Sequence, residues 1–165
     1  MMKELFATTK NGHSIWFDSQ TSHAATHFDE NPELPRHIKD ILSDLSPTDD
    51  GIYEEIKFDH PIGMTDLVTT DNTDDIVYAR RAGREVYTRF TKSRQPVSTD
   101  TITIWLVRLP SGDYDLASAW FGTKVPSFPG DEWEVPESKE FWKTHALVWG
   151  RQATIKETET TDCPW

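Results

Sequence analysis

Hydrophobic and polar residues alternate with two different periods along this chain, and the change of period separates the predicted elements. An apolar stripe at helical spacing predicts an amphipathic helix from about Pro32 to Leu45, with Asn31 as its N-cap. The residues of the stripe are Leu34, Ile38, Ile41, Leu42 and Leu45. From Gly51 to about Gly122 the apolar residues recur instead with a period near two, which predicts strands.

Short turns between the apolar runs indicate how the strands pair. Residues 5–9 and 14–17 flank Asn11-Gly12, the pair that best forms a two-residue turn, so the N-terminus is predicted to be a hairpin. Further strands are predicted at 52–58, 76–81, 85–91, 101–109 and 114–122. Because short connections join antiparallel neighbours, these strands are expected to form a meander.

The predicted elements define an α+β fold. The N-terminal hairpin and the amphipathic helix are expected to pack on a four- to five-stranded antiparallel meander, followed by a short C-terminal helix that begins near Ser138. Residues 19–30 are predicted to be a loop. Residues 1–151 are expected to form a single domain, and the polar residues 152–165 a flexible tail.

Charge and composition limit the classes of function. The 165 residues carry a net charge of −11, which argues against non-specific binding to nucleic acid or to anionic membranes. The N-terminal residues lack the apolar core of a signal peptide, and no run is long enough to span a bilayer. With Cys163 as its single cysteine, the chain is expected to be a cytoplasmic protein that does not contact membranes.

One basic strip departs from this acidic composition. Residues 80–94 hold six basic residues and one acidic residue, a balance of +5, whereas the rest of the chain sums to −16. Strand alternation predicts that Tyr87 and Arg89 lie on an open sheet face while Val86, Thr88 and Phe90 face the helix. On the neighbouring strand Arg80 lies in the same row as Tyr78, and Arg84 lies at the turn.

Arginine beside tyrosine on a rigid sheet suits the binding of phosphate or carboxylate, and such a face also suits single-stranded RNA. In the alternative interpretation these arginines pair with surface acids and only keep an exposed sheet hydrated. Because alternate residues of a strand point to opposite faces, only part of the basic strip can share one face, and the predicted anion site is limited to Tyr87 and Arg89.

Histidines and hydroxyl groups supply further candidates. His60 follows Asp59 in a predicted loop and could act as a general base, as could His145 on the last helix; alternatively they are a solvated and a packed histidine. Ser118 could contact a phosphate from its strand, and Trp120 lies two residues further on.

Metal and cofactor signals are weak in this sequence. His23 and His27 have the spacing of two metal ligands on a helical turn, but no third ligand is apparent, and a polar loop with two solvated histidines is the alternative. No glycine-rich phosphate loop, zinc pattern or dinucleotide fingerprint is present, so neither a metal nor a cofactor is expected.

The order of helix, basic hairpin and a second hairpin with small residues resembles bacterial toxin-type ribonucleases. The segments that carry the resemblance are 78–84, 88–90, 102–106 and 116–120, within about residues 52–122. The superfamily groups barnase, EndoU, colicin nucleases and RelE and is called the BECR fold. The resemblance implies RNA cleavage without metal, with His60 or His145 as base or acid and Arg84 and Arg89 at the phosphate. The hydroxyl partners would be Thr88, Ser118 or Tyr87.

Two hypotheses therefore remain open from the sequence. In the first, the chain is a metal-independent ribonuclease-like domain that binds RNA or another phosphate-bearing ligand at a sheet face with arginine and tyrosine. In the second, it is a non-enzymatic binding module whose open sheet face holds a protein partner or an acidic ligand. The sequence fixes neither the substrate nor the oligomeric state.

Overall fold

The structure, a computed structural model, describes residues 3–48 and 50–165 and confirms the α+β class. The helices are α1 (Ala24–Glu30), α2 (Leu34–Asp44) and α3 (Ser138–Thr144). The strands are β1 (Lys3–Thr8), β2 (Ser14–Asp18), β3 (Gly51–Lys57), β4 (Gly63–Thr65), β5 (Leu67–Thr69), β6 (Ile76–Arg80), β7 (Tyr87–Thr91), β8 (Val97–Thr99), β9 (Thr101–Arg108), β10 (Tyr114–Phe121) and β11 (His145–Val148). Among the described residues, no helix is long and apolar enough to cross a membrane.

The contacts group the chain into two compact units, and the single domain expected over 1–151 stays a prediction. The first unit takes the chain up to Gly63 and then Thr99–Lys124, and the second takes Met64–Ser98 and Val125–Trp165. The chain leaves the first unit, returns to it and leaves again. No linker of distinctive composition marks these crossings, so the sequence pattern does not reveal the division.

The first unit is built on a five-stranded sheet in the order β1-β2-β10-β9-β3. Its neighbours are antiparallel except for β2 and β10, which run parallel. The predicted N-terminal hairpin is present as β1 and β2. Its connection spans residues 9–13, longer than the predicted two-residue turn, and Gly12 adopts φ 88° there.

Helix α2 covers one face of this sheet through the predicted apolar stripe. Leu34, Ile38 and Leu42 are completely buried in the core of the unit, and other members of the stripe are partly buried against it. The predicted N-cap is wrong: Glu33 precedes the helix, and Asn31 instead ends α1, its backbone N–H donating to the carbonyl of His27 at 2.9 Å.

Helix α1 is a correction to the loop expected over residues 19–30. Ala24 and Phe28, four residues apart, lie on one side of the helix, and the ring of Phe28 stacks on Phe6 with centroids 5.7 Å apart. A segment of seven residues with two such contacts is too short to show a helical period in the sequence.

The second unit contains a four-stranded sheet in the order β5-β11-β7-β6, so the predicted strands divide between two sheets. The predicted hairpin of β6 and β7 is present, and Gly83 in its turn adopts φ 76°. Phe90 packs on Val77, Ala79 and Leu147 of its own sheet, where the sequence analysis expects it to pack on the amphipathic helix. Strands β4 and β8 pair separately as a two-stranded sheet.

The chain after α3 continues as a strand, where the sequence analysis expects further helical turns. Trp142 ends the apolar face of α3, buried and stacked on Phe128 with ring centroids 4.0 Å apart. Residues 145–148 then form β11, antiparallel to β5 and parallel to β7. Four residues between two partner strands are too few to show the period of two in the sequence.

The C-terminal segment, expected to be a flexible tail, is hydrogen-bonded along the outer edge of β6. Tyr78 and Thr160 exchange two backbone hydrogen bonds of 2.7 and 2.9 Å, and the N–H of Ala82 donates to the carbonyl of Ala153. The N–H of Arg80 donates to Thr158 Oγ1 at 2.8 Å. Because these bonds use mainly backbone groups, the polarity of the side chains in the sequence does not reveal them.

Candidate functional site

Strand β9 has one face that is buried from Ile102 to Leu106 and one face that is buried at Thr101 and Thr103 and exposed further along the strand. Ile102, Ile104 and Leu106 are buried in the core that the helices cover. The alternate residues Trp105 and Val107 lie on the opposite face and are 41% and 40% exposed. The apolar core therefore lies on one face, and Trp105 and Val107 remain in contact with water on the other, where His27 of α1 reaches Trp120 with ring centroids 6.0 Å apart.

Three aromatic residues form a cluster on this exposed face. Tyr53 lies opposite Trp105 in the β3–β9 register, with ring centroids 5.8 Å apart, and its ring is 6.3 Å from that of Trp120. Tyr53 is 42% exposed. We call Tyr53, Trp105 and Trp120 the aromatic face; the ammonium of Lys124 lies 4.7 Å from the ring centroid of Tyr53.

Two predicted ligand-binding residues, Trp120 and Ser118, lie at the aromatic face, and they differ in exposure. Trp120 is partly exposed there, and its indole N–H donates to the carbonyl of Thr123 at 3.0 Å. Ser118 pairs with Trp105 across β10 and β9 but is only 4% exposed. A ligand on this face would therefore meet the rings and not the Ser118 hydroxyl.

Charged residues border the aromatic face. Glu55 accepts a hydrogen bond from the backbone N–H of Lys124 at 2.7 Å. Partial burial of Tyr53 raises the pKa of its hydroxyl, and the negative charge of Glu55 raises it further. Lys3 forms an ion pair with Asp115 at 3.0 Å. The first unit as a whole contains 7 basic and 15 acidic residues, hence a formal net charge of −8.

The predicted arginine and tyrosine residues do share one face of the sheet in the second unit. The register places Tyr78 opposite Arg89 and Arg80 opposite Tyr87. Arg89 is not on an open face as predicted, however, because it is only 8% exposed. Its Nη1 atom donates to Thr70 Oγ1 at 2.7 Å and to the carbonyl of His145 at 3.0 Å.

Arg80 forms hydrogen bonds across the hairpin turn. Its Nε and Nη2 atoms both donate to the carbonyl of Arg84, at 3.0 and 2.9 Å, and Nη2 lies 3.6 Å from a carboxylate oxygen of Glu85. Arg84 is exposed and Tyr87 partly exposed. Pairing with surface acids, the alternative interpretation of the basic strip, thus describes Arg80 but not Arg89.

Thr88 lies on the other side of β7 from Arg89. It is fully buried, and its hydroxyl accepts a hydrogen bond of 2.9 Å from Arg81 Nε. The guanidinium of Arg81 in turn lies 5.2 Å from the ring centroid of Phe128. Thr88 is therefore in a position to hold Arg81, and not to act with Arg89 on one phosphate.

His145 also belongs to the face opposite Arg89. The register pairs Leu147 with Phe90, so alternation along β11 places His145 on the side of Leu147 and Phe90. Its ring stacks on Phe141 with centroids 3.9 Å apart, and its Nδ1 lies 3.0 Å from the Phe141 carbonyl. Arg89 contacts the backbone of His145 and not its imidazole.

His60 is an exposed residue of the first unit. Its Nδ1 lies 2.6 Å from Asp59 Oδ1, and this hydrogen bond lowers the pKa of Asp59. The second unit thus brings Arg80, Tyr87 and Arg89 to one face, turns Thr88 and His145 to the other, and does not contain His60, Ser118 or Trp120. In residues 3–48 and 50–165, no group of three or more His, Cys, Asp and Glu residues is arranged to hold a metal ion, around His23 and His27 included.

No family model, no curated protein and no solved structure matches this chain. The resemblance to toxin-type ribonucleases therefore stays a prediction. The residues that the sequence analysis missed are Tyr53 and Trp105 of the aromatic face, and Thr70 beside Arg89. The signal for Trp105 was present in the alternation of Ile104, Trp105 and Leu106, whereas nothing near Thr70 in the sequence points to Arg89.

Proposed function

We propose that this protein is a non-enzymatic binding module, and that its aromatic face binds a partner protein with a basic surface. The observation that carries the proposal is the exposure of Tyr53 and Trp105, at 42% and 41%, in ring contact on the side of a sheet opposite its apolar core. Exposed apolar clusters of this kind mark interaction sites, and tryptophan and tyrosine are the residues that most often dominate binding energy.

Binding is favoured over catalysis by the arrangement in the second unit. A ribonuclease of the predicted kind needs a histidine within hydrogen-bond reach of a phosphate held by Arg89. His145 points to the opposite face, and its Nδ1 is engaged by Phe141. Thr88 is engaged by Arg81.

Charge indicates the chemistry of the partner. With a net charge of −8, the first unit repels the phosphate backbone of RNA, although its rings could stack on bases. A second copy of the chain would bring the same negative charge to the interface. A protein with lysine and arginine around an apolar contact satisfies both the rings and the charge.

Site-specific photo-crosslinking tests the proposal. A benzophenone amino acid replaces Val107, which is 40% exposed on the side of the aromatic face, in the chain expressed in its own cells. The matched control carries it at Val135, which is 39% exposed in the second unit. We expect a covalent adduct with another protein from position 107, reduced about tenfold by Trp105→Ala.

Each other outcome contradicts the proposal. No adduct at position 107, or equal adducts at both positions, would show that the aromatic face holds no specific partner. An adduct with the mass of two copies of the chain would indicate self-association, and an adduct with nucleic acid would indicate RNA binding.

A further inference from the structure

Arg89 is a cation buried without an acidic partner. It is 8% exposed, and its partners in the second unit are neutral oxygens, those of Thr70, the His145 backbone and the Tyr78 hydroxyl. No carboxylate of the described residues lies within ion-pair distance of its guanidinium. Burial of a charge is costly unless an opposite charge compensates it, so arginines are seldom buried unpaired.

Other arginines of the same unit show the contrast. Arg94 forms two hydrogen bonds to the Asp74 carboxylate, of 2.7 and 2.9 Å, although it is more exposed than Arg89. Arg151 lies 3.1 Å from Asp66. The unit supplies carboxylates to arginines near its surface and none to the buried one.

We propose that Arg89, together with the hydroxyl groups of Tyr78 and Thr70, binds the phosphate group of a small ligand. The ligand's negative charge would compensate the guanidinium. This site lies in the second unit and does not depend on the aromatic face of the first.

The donors around Arg89 suit an anion with three oxygens. Its Nη1 atom is used by Thr70 and His145, and one further N–H group interacts with the Tyr78 hydroxyl, which leaves two N–H groups on Nε and Nη2. The Thr70 hydroxyl accepts from Nη1, so its own proton is free to donate. The hydroxyl of Tyr78, directly opposite Arg89 in the β6–β7 register, lies beside these groups and would donate to the ligand in place of Cys163. A carboxylate would use two of these directions, whereas a phosphate has three acceptor oxygens.

The C-terminal segment borders the site on the side of Tyr78. The ring of Trp165 meets that of Tyr78 edge-on, with centroids 5.3 Å apart. Burial raises the pKa of Tyr78, and the interaction of its hydroxyl with Cys163 raises it further. Arg89 has the opposite effect and lowers this pKa. The side chains of Cys163 and Trp165 carry no carboxylate that would repel a phosphate there.

Thermal unfolding in inorganic phosphate tests the site. The melting temperature of the full chain is measured against phosphate concentration, with sodium chloride keeping the ionic strength constant and acetate in a parallel series. We expect a saturable rise with phosphate that acetate does not reproduce. Thr70→Val and Tyr78→Phe, which preserve packing, should each raise the half-saturating concentration about fivefold, and Arg89→Gln should abolish the rise.

The exposed Arg84 provides the control, because Arg84→Gln removes a neighbouring positive charge without touching the site. This variant should respond like the wild type. The proposal is overturned if phosphate gives no rise beyond the chloride series or if acetate acts equally. It is also overturned if Thr70→Val and Tyr78→Phe respond like the wild type while Arg84→Gln does not.

Discussion

Tyr53 and Trp105 lie directly opposite each other on β3 and β9, with ring centroids 5.8 Å apart, and each is more than two-fifths exposed. One residue earlier on β9, Ile104 is 1% exposed. Successive residues of β9 therefore point to the buried core face and to the exposed aromatic face of this sheet. This relationship makes folding and binding separable by mutation.

Neighbouring substitutions on β9 should differ sharply in stability. Ile104→Ala removes a buried side chain and leaves a cavity, so we expect it to lower the free energy of unfolding by about 2–5 kcal/mol. Trp105→Ala loses an exposed cross-strand contact worth about 1 kcal/mol or less. Urea unfolding followed by far-UV circular dichroism measures both. Equal losses would contradict the assignment of the two faces.

Backbone amides of the β6 edge should be protected from hydrogen exchange by the C-terminal segment. The N–H groups of Tyr78, Arg80 and Ala82 donate to Thr160, Thr158 and Ala153, in that order. We expect all three to exchange slowly, and Thr158→Val to accelerate Arg80 selectively because it removes the accepting hydroxyl. Fast exchange at all three amides would contradict these hydrogen bonds and support the flexible tail predicted from the sequence.

The ion pair of Asp74 and Arg94 should make stability depend on acid pH. Hydrogen bonds from Arg94, from the Asp71 backbone and from Ser93 lower the pKa of Asp74 well below its usual value. A carboxylate with a lowered folded-state pKa stabilises the fold above its unfolded pKa of about 3.9, and this contribution is lost as the pH falls below that value.

Comparison of Asp74→Asn with the wild type measures this contribution. The difference in free energy of unfolding should be full near neutral pH and shrink between about pH 4 and pH 2. The exposed neighbour Asp75, which lies outside this ion pair, provides the control substitution Asp75→Asn. A difference that is independent of pH would show that Asp74 acts through its shape and not its charge.

The sequence pattern predicts the elements of this fold better than their grouping. The stripe of α2 and the alternation of β9 are visible because each buries a regular set of side chains. The assignment of β6 and β7 to a second sheet is not visible, because Phe90 alternates in the same way whether a helix or Leu147 covers it. Periodicity reports that a face is buried, and not what covers it.

The candidate sites show the same limit. Alternation correctly places Arg89 on the side of β7 away from Thr88 and Phe90, but it cannot show that Thr70 and the His145 backbone enclose the guanidinium. These contacts join residues 19 and 56 positions apart in the chain. Trp105 lies within the strand predicted at 101–109, and its exposure becomes apparent only once Ile104 is known to be the buried neighbour.

The most direct test of the binding proposal is the affinity of the recovered partner protein for variants of the aromatic face. Isothermal titration compares the wild type with Trp105→Ala, Tyr53→Ala and the control Trp133→Ala, whose indole is 73% exposed in the second unit. We predict at least a tenfold higher Kd for each variant of the aromatic face, about 1.4 kcal/mol, and no change for Trp133→Ala. Unchanged affinity in both aromatic-face variants, or an equal loss in the control, would contradict the proposal.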